Sequence, residues 1–166
     1  MKKTIMTLLL LCLPVMAFGQ VSDDGKPVKV ITDADVSGSV TFYADTVYNL
    51  DGFVYVESGE VLTIEPGTII KGNPGQGASA TALIVARGGQ IFANGNAGAP
   101  IIFTSINDDL DNPNDIPLTA AGRGLWGGLI ILGNSVINTT AGEGQIEGIP
   151  ETEPRGAYGG SDDNDN

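Results

Sequence analysis

Apolar residues along this chain come in short runs separated by glycine-rich breaks. Beyond residue 52 the runs read Phe53-Val54-Tyr55-Val56, Val61-Leu62-Thr63-Ile64, Thr68-Ile69-Ile70, Ala82-Leu83-Ile84-Val85, Gln90-Ile91-Phe92-Ala93, Ile101-Ile102-Phe103-Thr104, Leu129-Ile130-Ile131-Leu132 and Ser135-Val136-Ile137-Asn138. Between them lie Ser58-Gly59-Glu60, Glu65-Pro66-Gly67, Arg87-Gly88-Gly89 and the stretch 94–100. An amphipathic helix would place apolar residues at three- and four-residue steps, and a hairpin protein would alternate apolar and polar residues around Asn-Gly or Asp-Gly turns. Neither pattern is present in Gly59–Gly72, GEVLTIEPGTIIKG. Without helices, parallel strands cannot be joined by helical crossovers. The geometry that accommodates three short strands per turn, with brief bends between them, is the parallel β-helix. In that solenoid, stacked coils bury a column of aliphatic side chains.

Grouping the runs by three puts Val54, Leu62 and Ile69 in one coil and Ile84, Ile91 and Ile102 in the next, with Ile130 and Val136 starting a third. All eight are expected to point inward. Equivalent positions of the first two coils are 30, 29 and 33 residues apart, whereas Ile84 and Ile130 are 46 apart, so extra loops are expected at 72–81 and 105–125. The strands stop early because each coil must bend about three times, and Gly59, Pro66, Gly67 and Gly88 suit bends. The alternative is an antiparallel β-sandwich, which also has short strands and glycine-rich turns. Upstream, the polar segment 20–29 reads as a flexible leader. Residues 30–51 predict two or three strands that open or cap the domain, with coils over 52–166.

Composition narrows the function. Met1–Gln20, MKKTIMTLLLLCLPVMAFGQ, has two lysines, an apolar run and small residues at Ala17 and Gly19, the layout of a secretory signal at residues 1–19. Its apolar run falls short of the roughly 20 residues that span a bilayer. Cleavage after Gly19 predicts a secreted or cell-surface protein with no membrane insertion. The single cysteine, Cys12, leaves with that segment, and the remainder holds neither Cys nor His. Disulfides, Cys/His zinc sites, Ser-His-Asp triads and Cys-His nucleophiles are thereby excluded. Removing Lys2 and Lys3 takes the formal charge from −12 to −14. Such a chain repels phosphate backbones and anionic lipid, so nucleic acid is not an expected partner.

The segments LTIEPGTIIKG, APIIFTS, GLWGGLIILGNSVINTT and QIEGIPETEPRGAYGGSDDNDN resemble the opening coils of large secreted proteins from Bacteroidetes-type bacteria. That resemblance spans about Gly52 to Asn166. It implies an all-β, right-handed parallel β-helix and export that often uses a C-terminal type IX sorting domain. It supplies no catalytic residue. No sorting domain or capping element is visible at the C-terminal end, so the solenoid is expected to be incomplete there and the chain to be the N-terminal piece of a longer protein.

Candidate chemistry is sparse. Gly72–Ser79, GNPGQGAS, matches a phosphate-binding loop except that Ala78 stands where the lysine would be, and it reads as a solenoid loop. Asn138-Thr139-Thr140 reads as a strand end and turn. The stretch Asn107–Asp115 gathers Asp108, Asp109, Asp111, Asn112, Asn114 and Asp115, hard oxygen donors of the type Ca²⁺ prefers. It lacks the spacing, the sixth-position Gly and the distal Glu of an EF-hand, so a solvated acidic loop competes with a Ca²⁺ site at Asp108, Asp109, Asp111, Asn112 and Asp115. Ca²⁺ is the one candidate cofactor, and the tail Asp162, Asp163 and Asp165 is a weaker site of the same kind. Glycoside hydrolysis needs two carboxyls about 5 to 9 Å apart. The strand runs are almost free of Asp and Glu. Glu57 and Glu65 sit at strand ends where solvation accounts for them, and Arg87, Arg123 and Arg155 are isolated in sequence and suited to capping turns. Trp126, between Leu125 and Gly127-Gly128, is either a glycan-stacking platform or a buried aromatic at a strand start.

Two function classes follow. One is a non-catalytic β-helix module with a structural or adhesive role, whose partners are an extracellular glycan or a surface protein. The other is the front of a polysaccharide-degrading lyase or hydrolase whose active site lies in later coils.

Overall fold

The computed structural model describes residues 25–112, 114–117 and 119–162. The segment read as a secretory signal, the first part of the expected leader, Pro113, and Asp163 and Asp165 of the acidic tail lie outside the described residues.

Twelve short strands form among them: β1 (Val28–Ile31), β2 (Ser39–Phe42), β3 (Val47–Leu50), β4 (Phe53–Val56), β5 (Val61–Ile64), β6 (Ile69–Gly72), β7 (Ala82–Val85), β8 (Gln90–Ala93), β9 (Ile102–Ser105), β10 (Leu129–Ile131), β11 (Glu143–Gln145) and β12 (Ala157–Gly159). The first ten build three parallel sheets with orders β1-β3-β6-β9, β2-β5-β8 and β4-β7-β10. Each strand therefore pairs with its counterpart one turn along the chain, the signature of a parallel β-helix and not of an antiparallel sandwich. Strands β4, β5 and β6 make one coil, and β7, β8 and β9 the next. Strands β2 and β3 belong to an earlier coil, in which the 3-10 turn Asp33–Asp35 packs beside β4 where a strand would otherwise lie.

The bends sit where glycine permits them. Gly59 and Gly88 have φ of 84° and 79°, in the left-handed region that costs glycine least, and each follows a strand of the third sheet. Bending also strips backbone N–H groups of ladder partners. The chain satisfies several with acidic side chains from an adjacent coil: Glu60 accepts from Gly38 N and Glu65 from Ala44 N. Glu65 is thus a cap between coils and more than a solvated strand end.

Inside the coils lies one hydrophobic cluster that includes Ile31, Phe42, Tyr48, Leu50, Val54, Val56, Leu62, Ile64, Ile70, Leu83 and Val85, with Ile91, Phe103 and Trp126 packed against it. Phe42 and Tyr48 stack with ring centroids 4.0 Å apart. Registered partners form columns, Val40–Leu62–Ile91 and Val54–Leu83 among them. Each fully buried aliphatic contributes about 1.5–3 kcal/mol relative to exposure, so the column is the main source of stability.

Of the eight residues expected to point inward, Val54, Leu62 and Ile91 do so. Ile69 is buried, yet the neighbour in the interior cluster is Ile70; beside half-buried Ile102 it is Phe103. Ile84 and Ile130 belong to a second cluster on the outer face, and Leu83 takes the interior place. Val136 is 60% exposed, and Ser135–Asn138 forms no strand. The physical reason is that ALIV in β7 is buried on both faces, which erases the alternation that would tell inside from outside.

The second cluster comprises Tyr55, Ala82, Ile84 and Ala86 from the coils with Leu132 and Ile149, and Phe53, Ile130 and Ile146 packed against it. After Leu132 the chain leaves the solenoid and returns across the outer face of the β4-β7-β10 sheet, where β11 and β12 pair antiparallel. The insertion between β9 and β10 folds against the first sheet instead. Buried Lys71 donates to the Asp108 carbonyl at 2.9 Å, and the Thr104 hydroxyl bonds the Asp108 carboxylate.

Candidate functional site

The densest polar constellation among the described residues lies where the returning segment meets the coil, and it is built around Arg155. The coil supplies Asp33 and Glu57. Thr32 donates through both N and Oγ1 to the Asp35 carboxylate, which holds that carboxyl below its ordinary value and fixes the turn carrying Asp33. Asp33 Oδ1 accepts the backbone N–H of Tyr55 at 2.9 Å, capping the free edge of β4, and its Oδ2 is 2.7 Å from Arg155 Nη1. Glu57, one residue past β4, is 2.9 Å from the same nitrogen.

The returning segment supplies Glu153 and Arg155 from the turn Glu153-Pro154-Arg155-Gly156. Pro154 sits at the first position of a 3-10 turn, where its missing N–H costs nothing, and Glu153 caps that turn by accepting from Arg155 N. Gly156 is buried, and a Cβ there would stand 2.5 Å from Gln145 Nε2 and 2.9 Å from Ile149 Cγ2, so a larger residue would have to displace the Gln145 amide and the Ile149 methyl that pack on the turn. Glu153 then receives a bidentate pair from Arg155, through Nε at 2.9 Å and Nη2 at 2.8 Å. The guanidinium carbon lies 3.9 Å from the centroid of the Tyr55 ring.

These contacts set the electrostatics. The Glu153 bond holds Arg155 above its ordinary value, with Asp33 and Glu57 adding to it, and the same bond lowers Glu153. Burial raises the Tyr55 phenol, so it stays neutral, and its hydroxyl has no hydrogen-bond partner among the described residues. A guanidinium making four hydrogen bonds to three carboxylates has little donor capacity left for a ligand. Its chemistry is that of a clasp. Beside it, Phe53, Tyr55, Ile149, Pro150 and Thr152 line an open cleft of about 370 Å³.

Arg87 makes a second clasp. Located just past β7, its Nη1 is 2.9 Å from Glu143 Oε1 and donates to the Gly159 carbonyl at 2.8 Å. Arg155 and Arg87, isolated in sequence and suited to capping turns, join segments far apart in the chain, and Glu57 is an ion-pair partner as well as a strand end. Arg123 is exposed in the insertion. No sequence signal tied Arg155 to Asp33, because their separation of 122 residues follows from the coil count and the path of the returning segment.

The acidic stretch is arranged differently. Asp115 accepts from Asp109 N and Ile116 N, Asp109 from Asp111 N, and Asn112 from Asn114 N, so these side chains cap their own loop. Among the described residues no group of three or more His, Cys, Asp or Glu converges as a metal site. Trp126 is half-buried with its ring over Gly72, where a Cβ would lie 2.3 Å from it, so that ring face is occupied by the coil. Gly77–Ser79, in the loop lacking its lysine, forms a 3-10 turn.

Parallel ladders, a continuous interior column and the absence of α-helix among the described residues define a parallel β-helix protein. The chain belongs to the family of pectate-lyase-like β-helix domains, whose model matches residues 34–166. No curated protein and no solved structure matches it.

Proposed function

We infer that this chain is a non-catalytic β-helix module of a secreted or cell-surface protein, with a structural or adhesive role. One observation carries the reading. The outer face of the β4-β7-β10 sheet is plated by the chain's own returning segment, and the arginine at the centre of that contact is saturated by Asp33, Glu57 and Glu153. A substrate-binding arginine needs free donors, and the three carboxylates would repel an acidic polysaccharide. The secretory signal read from Met1–Gly19 supports export.

The family match favours a second reading, in which these coils form the leading part of a polysaccharide lyase or hydrolase. One experiment separates them. The secreted protein is purified, its N-terminus is read by mass spectrometry, and it is incubated with polygalacturonate and with neutral glycans. The non-catalytic reading expects a start at Gln20, no new reducing ends and no unsaturated uronide absorbance. Product formation that survives repurification, by this chain or by one extended through later coils, would establish the enzyme reading instead.

A further inference from the structure

The ladders of β1 to β10 are all parallel, and the antiparallel β11-β12 pair lies outside them in the segment that crosses the third sheet. That segment is fastened lightly. Its apolar contact rests on Leu132, Ile146 and Ile149, against a coil interior with 12 buried members. Its polar ties to the coil include the Leu132 N–H, bonded to the Val85 carbonyl where the segment departs from the sheet, and two ionic anchors. Arg155, held by Glu153 within the segment's own turn, reaches Asp33 and Glu57, and Arg87 reaches Glu143 and the Gly159 carbonyl; the paired side chains are 26–57% exposed. Partly exposed pairs are weak and are screened by salt. The coil has its own supports: β4 and β7 pair with each other, and their inward side chains pack in the interior cluster, which holds no residue of this segment.

We propose that residues 132–162 form a strap that opens as a unit from an intact coil, held shut by the Arg155 and Arg87 anchors and uncovering Phe53, Tyr55, Ile84 and Ile130 when released. Regions with few buried contacts and exposed polar ties open below the global unfolding free energy, and this segment has both properties. The strap turns an apolar sheet face into a conditional surface.

Acid is the second lever. Arg155 faces Asp33 and Glu57 from the coil, Glu153 from its own turn and the ring of Tyr55; Arg87 faces Glu143. Arg155 is held above its ordinary value by these carboxylates and keeps its charge. Glu153 is held below its ordinary value by its bond to Arg155. That bond lies within the segment's own turn and aims the guanidinium at Asp33 and Glu57; its contribution is complete above the ordinary glutamate range and is lost as the pH falls through and below about 4.3. Raising the pH has no such effect.

Native-state hydrogen exchange on the whole chain tests the strap. Once detached, a two-stranded segment is marginally stable and melts, so the Ile146 and Gly159 amides, bonded within it to the Gly156 and Gly133 carbonyls, report its opening, while Val61, Asn73 and Gln90, bonded to Gly38, Leu50 and Glu60, report the coil. In Arg155→Gln the strap amides are expected to exchange about tenfold faster or more, with coil amides and Trp126 fluorescence unchanged. In the parent protein, added salt should speed the strap amides alone, which keeps the test decisive should the variant fail to fold. Strap and coil amides that exchange with one common free energy in the parent, at low and high salt, would overturn the proposal. Unchanged strap protection in a folded Arg155→Gln would overturn it as well.

Discussion

Leu62→Asp is expected to abolish folding at ordinary temperature. Leu62 is fully buried, and its column neighbours in adjacent coils are Val40 and Ile91. Shortening it to alanine alone should cost about 2–5 kcal/mol through lost burial and a cavity. An aspartate adds an unpaired carboxylate inside an aliphatic stack, where it must desolvate or take up a proton, at a further cost of several kcal/mol. A typical domain is stable by only about 5–15 kcal/mol, so the sum removes most or all of it. Circular dichroism should show no cooperative melt for Leu62→Asp and a lowered one for Leu62→Ala. The same change at Ile91, one coil on, should be milder because Ile91 is only half-buried. Equal melting of Leu62→Asp and the parent would contradict the interior column.

Gly89→Ala is expected to cost about 3 kcal/mol, large for the addition of one methyl group. A Cβ at Gly89 would stand 2.2 Å from the Val56 carbonyl oxygen and 3.1 Å from that of Glu57, both backbone atoms of the preceding coil. Backbone in a ladder cannot give way as a side-chain tip can. The new methyl must therefore push two coils apart, at the bend where the Gly59 N–H is bonded to the Gly88 carbonyl at 2.9 Å. Gly98→Ala serves as the control, since the nearest atom its Cβ would meet is Asn96 Oδ1 at 3.5 Å. A melting temperature for Gly89→Ala within a degree or so of that control would show that the coils are not in such close contact.

The solenoid could be read from the sequence because its determinants are local. Runs such as VLTI and ALIV, ended by Glu-Pro-Gly and Arg-Gly-Gly, fix strand length and bend position without reference to anything distant. Which face each residue takes was less legible. For β5, alternation with Thr63 identifies Leu62 as inward, but β7 has four apolar residues in a row and gives no such cue. Ile84 and Ile130 were accordingly expected in the interior, one residue out of frame with Leu83 and Leu129. The reason for the unbroken apolar run appears only with the strap in place: the outer face of that sheet has a cover of its own.

The Arg155 site was not legible at all. A guanidinium contacting Asp33, Glu57 and Tyr55 is a product of stacking three segments from distant parts of the chain, and no spacing rule encodes it. What the sequence does contain is the local half, a Glu-Pro-Arg-Gly turn whose proline and glycine fix the approach. Acidic runs are the opposite case. Asp108 to Asp115 are conspicuous as letters, yet in the fold they accept hydrogen bonds from the loop's own backbone and from Thr104. Short polar side chains in turns do this routinely, which makes density of Asp and Asn a weak pointer to metal.

The central claim is that each strand lies parallel and in register beside its counterpart one coil away. Thr63 and Phe92 are registered partners in β5 and β8, one position along from the inward pair Leu62 and Ile91 and therefore on the outer face. Neighbouring strands lie about 4.8 Å apart, within reach of a disulfide or a short dithiol-reactive linker. The sequence from Gln20 onward holds no cysteine, so the double variant Thr63→Cys, Phe92→Cys produced from Gln20 carries only the introduced pair. The parallel β-helix predicts rapid, near-complete intramolecular cross-linking of the folded protein, lost in denaturant. Failure of the folded variant to cross-link, with efficient linking instead in a Val56→Cys, Val61→Cys control that a hairpin would bring together, would contradict it.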